Sequence, residues 1–293
     1  IYTLMMLHGT DFKIPKYREK FKYITKFRIV PLNFGEYEKQ KIFDHEEVGV
    51  ATKDLSFDDY LYLRALALLA ESLHNGKPFD EFFKYAKLFN IQPASLLKIL
   101  YDNISMAPKN VQEIMNDFIN ETKSELWDSE KDLLNYYNED ENFVKLKKGE
   151  VGGNLIYKYK SKSLVEASLS WIDFFKNQVF NAIRQTQKNI ASTELIKSEL
   201  SEISNFCKLK INALLNVSAN TDPVENEFQF DILKWLDDDS KKKPSDYKFP
   251  NNSKEKLVFE FTKDQIKMRK DAFKRYGTDI NAVSKIVTRI SNL

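Results

Sequence analysis

The run from Tyr60 to Ala70, YLYLRALALLA, constrains the fold more than any other stretch, because Arg64 is its only charge. A helix that is apolar all round is buried on most of its faces. Ser56 ahead of the run is a good N-cap. Asp58 and Asp59 put carboxylates in the first turn, where the helix dipole favours them. Gly76 supplies a C-terminal stop. The spacing predicts a buried helix over 57–74, and the rest of the chain has to cover it.

Most of that cover also has the helical period. Phe79, Phe82, Phe83, Ala86 and Phe89 fall on one helical face. Pro93 opens a helix over 93–103. Pro108 opens a long one reaching Tyr137, with Val111, Ile114, Met115, Phe118, Ile119, Leu126 and Leu133 inward. Apolar stripes predict further helices over 154–190, 193–216, 229–237, 263–275 and 279–291. Residues 15–22 suit a short helix. Strands are expected at 26–33 and 42–51, as a hairpin, and at 257–261. Residues 138–153 are polar and end in Gly149, Gly152 and Gly153, which reads as a hinge between helices. Residues 220–227 read as a loop. Asp237-Asp238-Asp239 and Lys241-Lys242-Lys243, with the Pro and Asn residues up to 252, read as a solvated linker. With 8 Gly and 8 Pro in 293 residues, long helices are favoured over a turn-rich all-β fold. The expectation is a mainly α chain with a small β element, in segments 1–55, 56–150 and 151–293.

Composition narrows the function. The chain has 45 Lys+Arg against 43 Asp+Glu, a net of +2, so it has no global field for drawing in nucleic acid or an anionic membrane. No apolar stretch is long enough to span a bilayer. Cys207 is the only cysteine, which excludes a disulfide within the chain and a cysteine-ligated metal site. It sits on an amphipathic helix beside Phe206 and reads as a packing residue. A reducing, cytoplasmic setting is the simplest match. Neither GxSxG nor HExxH occurs.

Few side chains stand out for chemistry. Arg64, inside an apolar helix, needs a partner, because an unpaired buried charge is very costly. It reads as a buried bridge to a carboxylate such as Glu46 or Glu47, or as a clamp for a substrate carboxylate or phosphate. Arg28 poses the same choice on a strand. His45 and Glu47 share one strand face, too few ligands for zinc, and a solvent-facing position is expected. His74 complements the end of its helix dipole.

In the opening stretch Leu4-Met5-Met6-Leu7-His8-Gly9-Thr10, residues 2–8 read as a strand covered on both faces, as in a parallel sheet, and Gly9-Thr10-Asp11 as the turn that ends it. Residues 1–55 offer it no crossover partner. The chain is therefore expected to be a piece of a larger protein that begins on the last strand of another domain. That strand is expected to be unpaired here and to promote self-association.

The same region carries a family resemblance. The run LMMLHGTDF, then YREKFKYITKFRIVPLNFGEYE, then the stretch around Glu46-Glu47-Val48 ending in TKDLSFDDYLYLR, resembles the region after the barrel of cobalamin-binding radical SAM enzymes. Gly9, Thr10, Arg28, Phe34, Gly35, Tyr37, Thr52, Ser56, Asp59 and Tyr60 occupy the matching places, and His8 departs from the family's usual Pro. The resemblance covers residues 1–75 well and the helical remainder loosely. It implies the terminal strand of a TIM-type barrel, a covering β segment and an accessory helical domain. It also implies that His8, Gly9 and Thr10 lie at the rim near SAM and a small-molecule substrate. The presumed parent would hold SAM, a 4Fe-4S cluster and cobalamin in its N-terminal barrel and cobalamin-binding domains. This chain has no CxxxCxxC motif, so it holds none of these alone. The other expectation is a non-enzymatic helical protein-interaction domain.

Overall fold

The computed structural model of the chain describes residues 3–186, 193–215, 222–238 and 241–277. In chain order it runs β1 (Leu4–Met5), α1 (Pro15–Phe21), β2 (Ile24–Tyr37), β3 (Gln40–Ala51), α2 (Phe57–Leu69), α3 (Asp80–Lys87), α4 (Pro93–Asp102), α5 (Lys109–Ser124), α6 (Glu130–Asn138), α7 (Asp140–Lys147), α8 (Leu155–Glu166), α9 (Ser168–Thr186), α10 (Thr193–Leu215), β4 (Val224–Phe228), α11 (Ile232–Asp237), β5 (Glu255–Phe259) and α12 (Lys263–Tyr276). Among the described residues the fold is mainly α, with two small antiparallel sheets ordered β1-β3-β2 and β4-β5. The helix expected over 279–291 lies outside the described residues. Two compact units emerge, each built from two separated stretches. One is Ile1–Ala67 with Met115–Tyr157, the other Leu68–Ile114 with Lys158–Leu293.

In the first unit, β2 and β3 form the expected hairpin. Its turn is Glu38-Lys39, with φ of 50° and 66°. Positive φ at both central residues is the turn geometry that matches strand twist, and it favours Asn and Gly. Phe27 and Ile29 of β2 and Phe43 of β3 point to one face. There they pack with Leu133 and Tyr137 of α6 and Phe143 and Leu146 of α7. Val48 and Val50 point to the other face and pack with Tyr60 and Leu61 of α2 and Ile119 of α5. Between Ile29 and Phe34 the register slips. Pro31, which has no N–H for a ladder, sits in that bulge. Leu32 sits there too, at φ 64°, and its N–H donates to Gly152 O at 3.3 Å.

The opening strand differs from its expected form. Leu4 and Met5 pair antiparallel with Gly49 and Val48, so β1 has a partner within the chain. Met6 N–H adds a bond to Glu47 O at 2.8 Å. Gly49 makes room, since a Cβ there would lie 3.3 Å from Leu4 Cδ2. Only Met6 is buried. Leu4, Met5 and Leu7 are 37%, 44% and 53% exposed, as suits an edge strand rather than one covered on both faces.

Two long helices expected from periodicity are broken. The stretch 108–137 divides into α5 and α6 because Trp127 leaves the helix and pairs with Phe27, N–H to O both ways at 2.8 Å. Ser129 then caps α6 by accepting from Asp132 N. The stretch 154–190 divides at Ala167 into α8 and α9. Residues 138–153, expected as a hinge, hold α7. Its Phe143 and Leu146 are buried, a sparse apolar face among charges. Within the expected loop 220–227 lies part of β4, which pairs with β5.

The second unit packs α3, α4, α9 and α10 together. Phe79, Phe82 and Phe83 surround Phe175 of α9, with the Phe82 ring stacked at 5.1 Å. Phe206 of α10 meets Phe228 of β4 and Phe259 of β5 at 6.3 and 5.5 Å, which seats the second sheet. Buried carboxylates tie these parts together. Glu199 accepts from Tyr85 Oη at 2.6 Å and from Ser245 Oγ at 2.5 Å. Glu202 accepts from Gln229 N at 2.8 Å.

Two outcomes follow. A left-handed non-glycine residue costs roughly 1 kcal/mol. The double change Glu38→Asn, Lys39→Gly should therefore raise the urea midpoint without altering its slope. Gly149 and Gly152 share φ +71°, but a Cβ at Gly149 meets nothing while one at Gly152 overlaps buried Leu146. Gly152→Ala should lower stability by roughly 1–3 kcal/mol more than Gly149→Ala in parallel denaturation curves.

Candidate functional site

The site grows from strand alternation. Arg28 and Glu46 are cross-strand partners on the valine-bearing face of the hairpin, toward α2 and α5. Arg28 Nε donates to Glu46 Oε1 at 2.7 Å, and its Nη1 donates to Glu125 Oε1 at 2.9 Å. Glu125 lies just past the end of α5. From α2, Tyr60 and Arg64 bring their side chains in one helical turn apart. Arg64 is 9% exposed. Its guanidinium lies over the Phe118 ring, 5.6 Å from the centroid. Its Nε is buried and has no hydrogen-bond partner among the described residues.

Burial and charge compete at each group. Burial pushes the Glu125 carboxyl up, and it prevails over the pull of Arg28 and Arg64. Burial pushes Arg64 down. Tyr60 and Glu125 oppose that, Arg28 adds to it, and the net shift is downward. At Arg28 burial acts the same way, but Glu125 and Glu46 outweigh it and the net shift is upward. Burial raises Tyr60 against the two guanidiniums, so its phenol stays protonated. The chemistry on offer is ionic: two guanidiniums against two carboxylates, with a phenol as a neutral donor.

Arg28 and Arg64, singled out separately in the sequence, thus meet in one cluster. Neither carboxylate expected for Arg64 bridges to it, and Glu125 acts on it only through its charge. Glu46 bonds Arg28. Glu47 points to the opposite face of β3, where Lys13, Arg18 and Thr25 converge on it. Glu125 was missed because the stretch around it reads as uninterrupted helix, and nothing in its type marks it as buried.

His8, Gly9 and Thr10 form an exposed turn closed by Thr10 Oγ1 donating to Leu7 O at 2.6 Å. Among the described residues, no hydrogen bond or ion pair links that turn to Arg28 or Arg64. His45 is half-buried rather than solvent-facing, with Nε2 3.0 Å from Glu130 Oε1. His74 stands edge-on to Phe83. Cys207 is fully buried and donates to Glu81 Oε2 at 3.4 Å, while Lys210 donates to Glu81 Oε1 at 2.5 Å. Burial and Glu81 push the thiol well up, so it stays protonated. Among the described residues, no group of three or more His, Cys, Asp and Glu is placed to hold a metal ion, and no helix is long and apolar enough to cross a membrane. No protein-family model matches the chain, and no curated protein matches it.

Glu47 sets a pH dependence. Burial alone would raise its carboxyl, but hydrogen bonds from Lys13, Thr25 and Arg18 outweigh burial and hold it below its ordinary 4.5. A lowered carboxylate contributes stability that is full above the unfolded value and is lost as pH falls through the folded one. The melting-temperature gap between wild type and Glu47→Gln should be widest at neutral pH. It should close as the pH drops below 4.5 in a series of thermal melts.

Proposed function

We propose that this chain is the C-terminal accessory region of a radical SAM enzyme, packing beside the barrel and shaping the substrate pocket. The observation that carries it is that Arg28 and Tyr60, two of the residues on which the resemblance rests, lie far apart in sequence yet share one buried cluster with Glu46, Arg64 and Glu125. Other residues of the resemblance hold defined local positions. Ser56 and Asp59 cap α2 reciprocally, with Asp59 N donating to Ser56 Oγ at 3.1 Å and Ser56 N to Asp59 Oδ2 at 2.9 Å. Thr10 closes the turn after β1. Among the described residues the outer edge of β1 is not paired within its sheet, and the exposed Leu4, Met5 and Leu7 suit docking against another apolar surface.

In such an enzyme the 4Fe-4S cluster supplies the electron that cleaves SAM, for a radical methylation or rearrangement. This chain's residues do not fit the cluster. Ligation needs several thiolates, and Cys207 is a single thiol that burial keeps protonated. The cluster, SAM and any cobalamin belong to the preceding domains of the parent. The part taken by this chain is structural: its ionic cluster holds the hairpin and α2 in the positions that face the substrate.

The test starts with the coding sequence upstream of Ile1. A CxxxCxxC motif roughly two hundred residues earlier is expected, by the length of a barrel. The longer protein, reconstituted anaerobically, should show iron–sulfur absorbance and form 5′-deoxyadenosine from SAM. The chain alone should do neither. Cluster uptake by the chain alone, or an upstream frame without the motif, would overturn the proposal. The second outcome would favour a helical interaction domain.

A further inference from the structure

We propose that Arg64, with Thr122 and Tyr60, anchors a binding site for a small monocarboxylate. The proposal stands on the geometry of the cluster and does not depend on the radical SAM assignment. Arg28 is satisfied, since it donates to both Glu46 and Glu125. Arg64 is not. Its Nε is buried without a partner among the described residues, and its guanidinium rests on the ring of Phe118 rather than on an oxygen. A guanidinium left this way is costly, and the ordinary remedy is an oxyanion held by hydrogen bonds.

The neighbours supply further donors. Phe118 and Thr122 lie at i and i+4 on one face of α5, and Glu125 follows three residues later in the turn just past its end, where its N–H still donates to Glu121 O at 2.9 Å. Phe118 lies under Arg64 and Glu125 interacts with it electrostatically, so Thr122 falls between two residues that already border Arg64. Thr122 is fully buried, and its Oγ1 has no hydrogen-bond partner among the described residues. The Tyr60 hydroxyl is buried, with the Thr3 side chain beside it as well as the two guanidiniums, and it stays protonated. A guanidinium and a phenol thus meet in one cluster, helix spacing puts the Thr122 hydroxyl on the α5 face that borders it, and an acceptor-only ligand is the kind of species that satisfies such donors.

Charge selects the class. Glu46 and Glu125 stand beside the site, so a phosphate dianion is repelled where a single negative charge is tolerated. Apolar neighbours such as Phe118 and Leu61 suit an alkyl or aryl remainder. Arg64 keeps 9% of its surface exposed, so the group is not sealed from solvent.

The experiment titrates acetate into the full chain, followed by the line width of isotope-labelled acetate in NMR and by calorimetry. Chloride is the ionic-strength control and inorganic phosphate the competing class. Saturable acetate binding is expected, with Arg64→Met weakening it at least tenfold and Thr122→Val severalfold. Chloride should not reproduce it, and phosphate should bind more weakly than acetate. Failure of the wild type to bind acetate saturably would overturn the proposal. So would phosphate binding as tightly as acetate, or Arg64→Met binding as the wild type does. Should Arg64→Met not fold, the wild-type titrations and Thr122→Val decide. If Arg64 is only a tolerated buried charge, Arg64→Met should raise the melting temperature and the wild type should ignore acetate, which also overturns it.

Discussion

The register of β2 against β3 is the constraint on which the first unit depends. Pairing Arg28 with Glu46 sends both toward α2 and α5, and the same pairing sends Phe27 and Ile29 to the aromatic face over α6 and α7. Side chains alternate along a strand, so a slip of one residue would exchange the two sets. A guanidinium would then enter a layer of Phe43, Tyr137 and Phe143, and phenylalanines would meet Glu125. The Glu38-Lys39 turn sets that register from one end, and the Phe27–Trp127 pair holds it on the open side of β2. The buried ion pairs therefore act as a check on the register more than as a source of stability, since desolvation offsets much of their attraction.

The second unit solves a different problem with the same residue type. Its aromatic layer around Phe175 is apolar enough to hold α3 against α9 without ionic help. Its later segments are short, and they need anchors. Glu199 and Glu202 lie one turn apart on α10 and receive hydrogen bonds from Ser245 and Gln229. Glu81 does the same for Lys210 and Cys207. Each buried carboxylate is matched by donors, as the cost of burying an unpaired charge demands.

Periodicity made much of this legible. The α2 helix, the hairpin, the aromatic face of α3 and the stripe of α10 follow from spacing alone, because each buries a continuous face. The misses have causes that spacing does not carry. Trp127 breaks a helix whose apolar stripe continues through Leu126 and Leu133, and the break is decided by a hydrogen-bonding partner about a hundred residues earlier. The α7 helix buries only two large side chains, so its stripe is too thin to stand out among charges. At the site, Arg28 and Arg64 were conspicuous as charges among apolar neighbours. Glu125 was not, because its burial comes from tertiary placement.

The carboxylate of Glu202 has one more consequence. It accepts from backbone, not from a side chain: Gln229 N–H at 2.8 Å, with Phe230 N–H beside it. Any residue except proline presents the same N–H at position 229. The side chain there is free to drift over generations while the attachment persists, and the whole burden of identity falls on Glu202. A contact of this kind leaves almost no paired signature in a family of sequences. Only one end of it is under selection for what it is.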